Sequence, residues 1–214
     1  MNTIQILAVS ILPIIFAITL HEAAHGYAAR YFGDATAWKL GRISINPIRH
    51  IDLVGTIIVP AMILLLSGGG MLFGWAKPVP VDFGKLRRPK QDMLWVAAAG
   101  PAANLLMALF WALLFKTVIS AHPMLYSEAL LAMAKVGITI NGVLMLLNLL
   151  PLPPLDGGRI VVSLLPMRAA WQFSKLERWG LPILLALLFF GGLDRILRPL
   201  LAVYFSLLSG LFGF

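Results

Sequence analysis

The sequence contains no cysteine, so disulfides and thiolate metal ligands are excluded, and any bound metal must be held by His, Asp or Glu. Charge is scarce as well: 12% of the 214 residues are charged and 60% are hydrophobic, with a mean hydropathy of +0.89. A soluble domain carries about 25% charged residues. A chain of this length cannot hide so much apolar surface in one water-facing core, so the solvent for most of it is lipid. Acids are the scarcest charged groups, 9 against 17 Lys and Arg, for a net charge of +8. In a soluble protein that excess would point to nucleic acid. Here the cations fall in short segments between apolar runs, as cytoplasmic loops of a membrane protein do, so membrane lipid and not nucleic acid is the expected partner of these charges. No Lys or Arg precedes Arg30, so the basic start of a cleavable signal peptide is missing and the first apolar run reads as a retained helix.

That run, Thr3 to Phe32, has no glycine before Gly26 and one proline, Pro13. As a helix it would be about 45 Å long, enough to cross a hydrocarbon core of about 30 Å. Arg30, Lys39, Arg42 and Arg49 follow it, which places this end at the cytoplasm and the N-terminus outside. Residues 39–46 alternate polar and apolar like a short strand, and Asn46-Pro47 marks a turn. The next apolar run, Leu53 to Leu66, is short, contains Pro60 and ends in Ser67-Gly-Gly-Gly70; basic residues flank it on both sides. It is expected to enter and leave on one face as a re-entrant hairpin, and Trp75–Val81 is expected to be extended because its prolines forbid helix. Met93 to Ile119 and Glu128 to Leu150 read as spans, joined by a weakly charged external loop at 120–127 that holds His122. Gly180 to Leu193 and Pro199 to Phe214 read as one kinked span or two tilted ones. The expected fold class is an all-α polytopic membrane protein, a bundle of about four to six transmembrane helices with a small β-element and re-entrant segment near the active site. It forms one domain over residues 1–214, with a core of 1–165 and a helical tail of 166–214.

His21-Glu22-Ala-Ala-His25 carries the chemistry. Residues i and i+4 share one helix face, so two imidazoles can grip one zinc ion, with Glu22 placed to take a proton from zinc-bound water. In a soluble helix the pattern is as readily two surface histidines beside an incidental Glu. Within lipid, three ionisable groups cost several kcal/mol unless paired or bound to metal, which favours the metal. A third protein ligand is needed. Asp156 stands where an apolar span is broken, in Asn148-Leu-Leu-Pro-Leu-Pro-Pro-Leu-Asp156-Gly-Gly-Arg159, at the depth expected of His21 and His25. Taken alone it reads as an Asx turn or a cap for the next helix; beside the first motif it is the better third ligand.

These two motifs, in this order, resemble the site-2 protease family of intramembrane metalloproteases (peptidase M50). Further matches are Gly100-Pro101-Ala-Ala-Asn104, Asn46-Pro47-Ile-Arg-His50-Ile-Asp52 and Gly74-Trp-Ala-Lys-Pro-Val-Pro-Val81, which look like its compact bacterial subgroup. The likeness spans about residues 10–165. It implies one zinc per chain held by His21, His25 and Asp156, Glu22 as catalytic base, and Asn148 positioning substrate or the developing oxyanion. Asn148 and Asn104 also read as helix-packing amides, Asn104 the more so. His50 and Asp52 are expected to steady the loop under the site or to act behind the ligands, and Arg159 to anchor the chain at the cytoplasmic surface. The resemblance further implies a multi-pass protein of the cytoplasmic membrane, with the site towards the cytoplasmic side, acting on single-span membrane proteins or signal-peptide remnants. PDZ and CBS domains, common among relatives, do not fit in this length. An extended substrate is expected to pair with a sheet edge built from residues 36–46 and 74–82. The rival readings are a zinc carrier or sensor, and an inactive scaffold. A carrier wants ionisable groups staged across the bilayer, whereas here they gather at one depth, and Glu22 is the first residue an inactive relative could lose.

Overall fold

The computed structural model describes residues 3–66, 74–120 and 127–213. The expected external loop with His122 and the Ser67–Gly70 turn lie outside them. Helix α1 (Thr3–Tyr31) is followed by one turn, α2 (Thr36–Lys39), by a 3-10 turn (Pro47–His50), a π-helical stretch (Leu53–Ile58) and α3 (Val59–Leu66). After a 3-10 turn at Phe83–Lys85 come α4 (Pro89–Ser120), α5 (Ser127–Asn148), α6 (Asp156–Leu164), α7 (Met167–Ser174), α8 (Glu177–Phe189) and α9 (Gly192–Phe212). Among the described residues, four stretches are long and apolar enough to cross a membrane: Ala8–Tyr31, Pro89–Ser120, Glu128–Asn148 and Gly192–Phe212. The protein is an all-α, multi-pass membrane protein. The two tail segments resolve into separate helices, α8 and α9, parted at Gly191, whose φ of 69° is left-handed.

Helices α1, α4 and α5 pack mutually as the central layer, with α6 against α4 and α9 against α5. In lipid no hydrophobic force drives helices together, so close approach depends on small residues. Ala17, Ala108, Ala112 and Ala134 are fully buried. Trp111 lies over Gly137 and Tyr204 over Gly142, both so closely that a Cβ would overlap the ring. The Tyr204 hydroxyl donates to the Ile138 carbonyl at 2.8 Å, so the polar tip of this buried ring is satisfied.

Helix α1 stops through a Schellman motif. Gly33 takes φ 113°, its N–H donates to the Arg30 carbonyl, and the Asp34 N–H reaches back to Ala29. Asp34 then ties the helix end to the chain that returns beneath it, because its buried carboxylate accepts the Thr36 N–H at 2.9 Å and the Asp82 N–H at 2.7 Å. Burial alone would raise the Asp34 pKa, but these hydrogen bonds and the nearby Lys85 ammonium outweigh it and hold the carboxyl below its ordinary value of 3.8. A depressed folded-state pKa contributes stability that is complete above the ordinary value and is lost as pH falls towards the folded one. Asp34→Asn is therefore expected to cost about 1–3 kcal/mol at pH 7. The gap to wild type should narrow below the ordinary carboxylate range, as thermal unfolding in detergent at both pH values would show.

The segment around α3 leaves and returns at one place: the Lys77 N–H donates to the His50 carbonyl at 2.8 Å, and the Trp75 N–H to Gly55 at 2.9 Å. The two described ends of the expected hairpin therefore meet. The expected β-element does not form, since there is no strand among the described residues. Asp34 starts a helical turn at Thr36, and residues 74–82 have no ladder to offer. Pro78 and Pro80 lack an N–H, the Lys77 N–H is taken by His50, the Val79 N–H by a side chain of α1, and the Lys77 and Pro78 carbonyls by the Arg42 guanidinium.

Candidate active site

His21, Glu22 and His25 lie in the last third of α1, where Gly26 lets two segments close in: a Cβ there would meet the side chains of Ile43 and Val79. Asp156 arrives from the other side. The chain breaks after α5 at Pro151, and Asp156 is the first residue of α6. Gly157 and Gly158 let α6 fold back against the end of α5, because Cβ atoms there would overlap the Leu149 and Leu150 carbonyls and the Pro153 backbone. The structure thus brings the three expected ligands together from sequence positions 21, 25 and 156. One ligand atom from each lies within 4.8 Å of the others.

The two Nε2 atoms are 3.1 Å apart, and Asp156 Oδ2 is 3.3 Å from each. The far side of each ring fixes its tautomer. His21 Nδ1 lies 2.6 Å from Asn104 Oδ1 and His25 Nδ1 lies 2.7 Å from the Val96 carbonyl, both acceptors, so each Nδ1 carries the proton and each Nε2 presents a lone pair. Three acceptors therefore face one another without a donor, and Asp156 Oδ2 is buried with no hydrogen-bond partner among the described residues. Such a cage is repulsive unless a cation fills it. Ligand bonds of about 2.0–2.1 Å at tetrahedral angles separate neighbouring donor atoms by about 3.3 Å, which matches this spacing. The residues fit zinc.

Asn104 does more than pack helices. Its Oδ1 is fixed on His21 because its Nδ2 donates to the Ala17 carbonyl (3.1 Å) and to Asn141 Oδ1 (2.9 Å); Asn141 in turn donates to the Gly137 carbonyl. Both amides are fully buried. The chain of bonds crosses α1, α4 and α5. Asn141 belongs to none of the sequence motifs; its one signal is a second Asn inside an apolar span, where an unpaired amide is costly. Asn104→Leu is expected to weaken zinc affinity about 10–100-fold with the helices intact, measured by competition with a chelator.

Glu22 Oε2 accepts the Val79 N–H at 2.8 Å. Glu22, Asn148 and Arg159 line one cavity of about 120 Å³ with the three candidate ligands. Asn148 Nδ2 donates to the Leu144 carbonyl of its own helix at 3.0 Å, which leaves its carbonyl oxygen as the end not held by that bond. Arg159, expected as a surface anchor, instead forms part of the cavity wall. His50 and Asp52 do not line it. His50 is buried with Nε2 on the Ser44 carbonyl at 2.8 Å, and Asp52 caps the π-helical stretch through the Gly55 N–H at 2.6 Å. Both steady the hairpin.

A His-Glu-x-x-His helix with an Asp brought beside it is a donor set of the kind metallohydrolases use. Within that class the assignment is direct: the profile of Peptidase family M50 matches residues 9–191, and the chain belongs to this family. It is 38% identical over 181 residues to YwhC of Bacillus subtilis, provisionally named a zinc metalloprotease, covering 83% of this chain and 78% of that one. It is 28% identical over 186 residues to Rip2 of Mycolicibacterium smegmatis, named in the same way, covering 85% of this chain and 66% of that protein. Zinc metalloprotease MJ0392 of Methanocaldococcus jannaschii is 24% identical over 214 residues, and the match spans half of its length. No solved structure matches the chain.

Proposed function

We propose that this chain is a zinc-dependent intramembrane endopeptidase, residues 1–214 acting as one domain with one zinc per chain held by His21, His25 and Asp156. The observation that carries this is the donor-free cage of two imidazoles and a carboxylate beside Glu22, in a helix otherwise built for lipid. Zinc bound there supplies a Lewis acid that polarises a peptide carbonyl and lowers the pKa of water. Glu22 is the proton carrier: it shares the cavity with the ligands, and the Val79 N–H fixes one oxygen, which leaves the other to take a proton from the attacking water and return it to the leaving amine. Asn148, at the same cavity, presents its carbonyl end to the substrate backbone. Water would reach the site beside the non-helical chain between Pro151 and Asp156, whose Pro154 lines the cavity.

The cationic segments 30–49, 77–90 and 159–178 adjoin this end of the bundle, which supports a site towards the cytoplasmic side of the cytoplasmic membrane. Substrates would be single-span membrane proteins or signal-peptide remnants, locally unwound. Pairing of a substrate with residues 77–79 is disfavoured, because their two N–H groups are engaged. The test is zinc stoichiometry together with cleavage of a single-span substrate in detergent. One zinc per chain with cleavage supports the protease. Zinc without cleavage of any substrate would favour a carrier, sensor or scaffold, and absence of zinc from a folded protein would refute the site.

A further inference from the structure

Arg159 is the one Lys or Arg among the described residues lining the catalytic cavity. It makes no ion pair and no side-chain hydrogen bond among them; its guanidinium lies over the Phe83 ring, 5.2 Å from the centroid. No ion pair joins it to either acid of the cavity: Asp156 Oδ2 faces the two imidazoles and Glu22 Oε2 accepts the Val79 N–H. Its place is set by the backbone: Arg159 is in the first turn of α6, three residues after Asp156, and the close approach at Gly157 and Gly158 turns this helix start into the site. A cation simply anchoring the chain would point to water or headgroups. This one is half-buried beside the candidate metal ligands.

A peptide entering the cavity would cover this guanidinium. Covering an unpaired cation is costly unless the incoming molecule brings an anion. No side-chain hydrogen bond among the described residues takes up the N–H groups of this guanidinium, and its planar fork matches a carboxylate in bidentate fashion. We propose that Arg159 and Phe83 form a subsite for a carboxylate of the substrate, carried by an acidic side chain close to the cut or by the free C-terminus of a shortened peptide. This rests on the protease reading above and gives the same cavity a selectivity. A backbone carbonyl would satisfy one N–H of the fork; a carboxylate satisfies two and also the charge.

The test is peptide binding to the zinc-loaded Glu22→Gln protein in neutral detergent, so that its outcome does not depend on turnover. Three fluorescent peptides of one apolar sequence are compared by anisotropy: one with Gln and a C-terminal amide, one with Glu in place of that Gln, and one with Gln and a free carboxylate. The Glu or the free-carboxylate peptide should bind about tenfold to a hundredfold tighter than the neutral one, and whichever does so identifies the source. Adding Arg159→Gln should abolish the difference with zinc content unchanged, and Arg159→Lys, which keeps the charge but not the fork, should retain only part of it. If the Gln variant does not fold, the Lys variant alone decides, and an undiminished preference there overturns the proposal. Equal affinity for all three peptides, or no binding of any, also overturns it. So does suppression of binding by phosphatidylglycerol that depends on Arg159 but not on the peptide's charge, which would mark a lipid phosphate site. Carboxylate-selective binding without cleavage of any substrate by the unmutated protein would instead remove the protease reading and leave this subsite standing.

Discussion

Glu22→Gln should abolish peptide hydrolysis, by about 100-fold to 10,000-fold, while leaving zinc stoichiometry at the wild-type value. The reason is a division of labour within one helical turn. His21 and His25 project their Nε2 atoms into the cage with Asp156, whereas Glu22 is turned to the Val79 N–H and takes no place among the three ligand atoms. Glutamine is isosteric and still accepts that N–H, so the local fold has no reason to change; what it cannot do is hold a proton. Zinc analysis and cleavage of a single-span substrate, done on the same preparation, give the result. If zinc is lost along with activity, Glu22 is a ligand and the assignment of roles is wrong. If cleavage persists near wild-type rate, the base lies elsewhere.

The second large effect is expected at a residue with no chemistry of its own. Gly100, in α4, faces the metal cage so closely that a Cβ would lie 2.6–2.7 Å from His21 and closer still to His25 Nε2. Gly100→Ala adds helix propensity of about 1 kcal/mol, so taken locally the helix gains. The rings must move, however, and a shift of either imidazole breaks its bond to Asn104 or to the Val96 carbonyl as well as the ligand spacing. Zinc affinity should fall by at least about 100-fold with the helix content unchanged, read by chelator competition alongside circular dichroism. Wild-type affinity in the variant would mean that α4 does not pack on the site as described.

The parts of this site legible in the sequence are those governed by local periodicity. The i, i+4 pair on α1 requires only a helix, and the break at Pro151–Pro154 requires only that proline cannot continue one. Those two facts are enough to place His21, Glu22, His25 and Asp156 at one depth. The partners that orient them depend on distant approaches with no local pattern. Asn141 reaches Asn104 across 37 positions and Val79 reaches Glu22 across 57. The alternation at residues 39–46 suggests a strand because it carries no record of where the partner's donors go; Pro78 and Pro80 have none to give. Arg159 reads as a surface cation since charge alone favours water, and its turn into the cavity follows from glycines whose packing partners, Leu149 to Pro153, lie in the chain that follows α5.

The Pro78-Val79-Pro80 stretch also acts as a key cut for a single position. With a ring nitrogen on either side of its one amide, a slip of one residue in either direction would present proline to Glu22 and leave that carboxylate without its donor. The return segment therefore carries an absolute reading frame against α1, pinned at its far end where Asp82 meets Asp34. A single inserted or deleted residue between Lys77 and Asp82 cannot be absorbed without breaking one of these bonds.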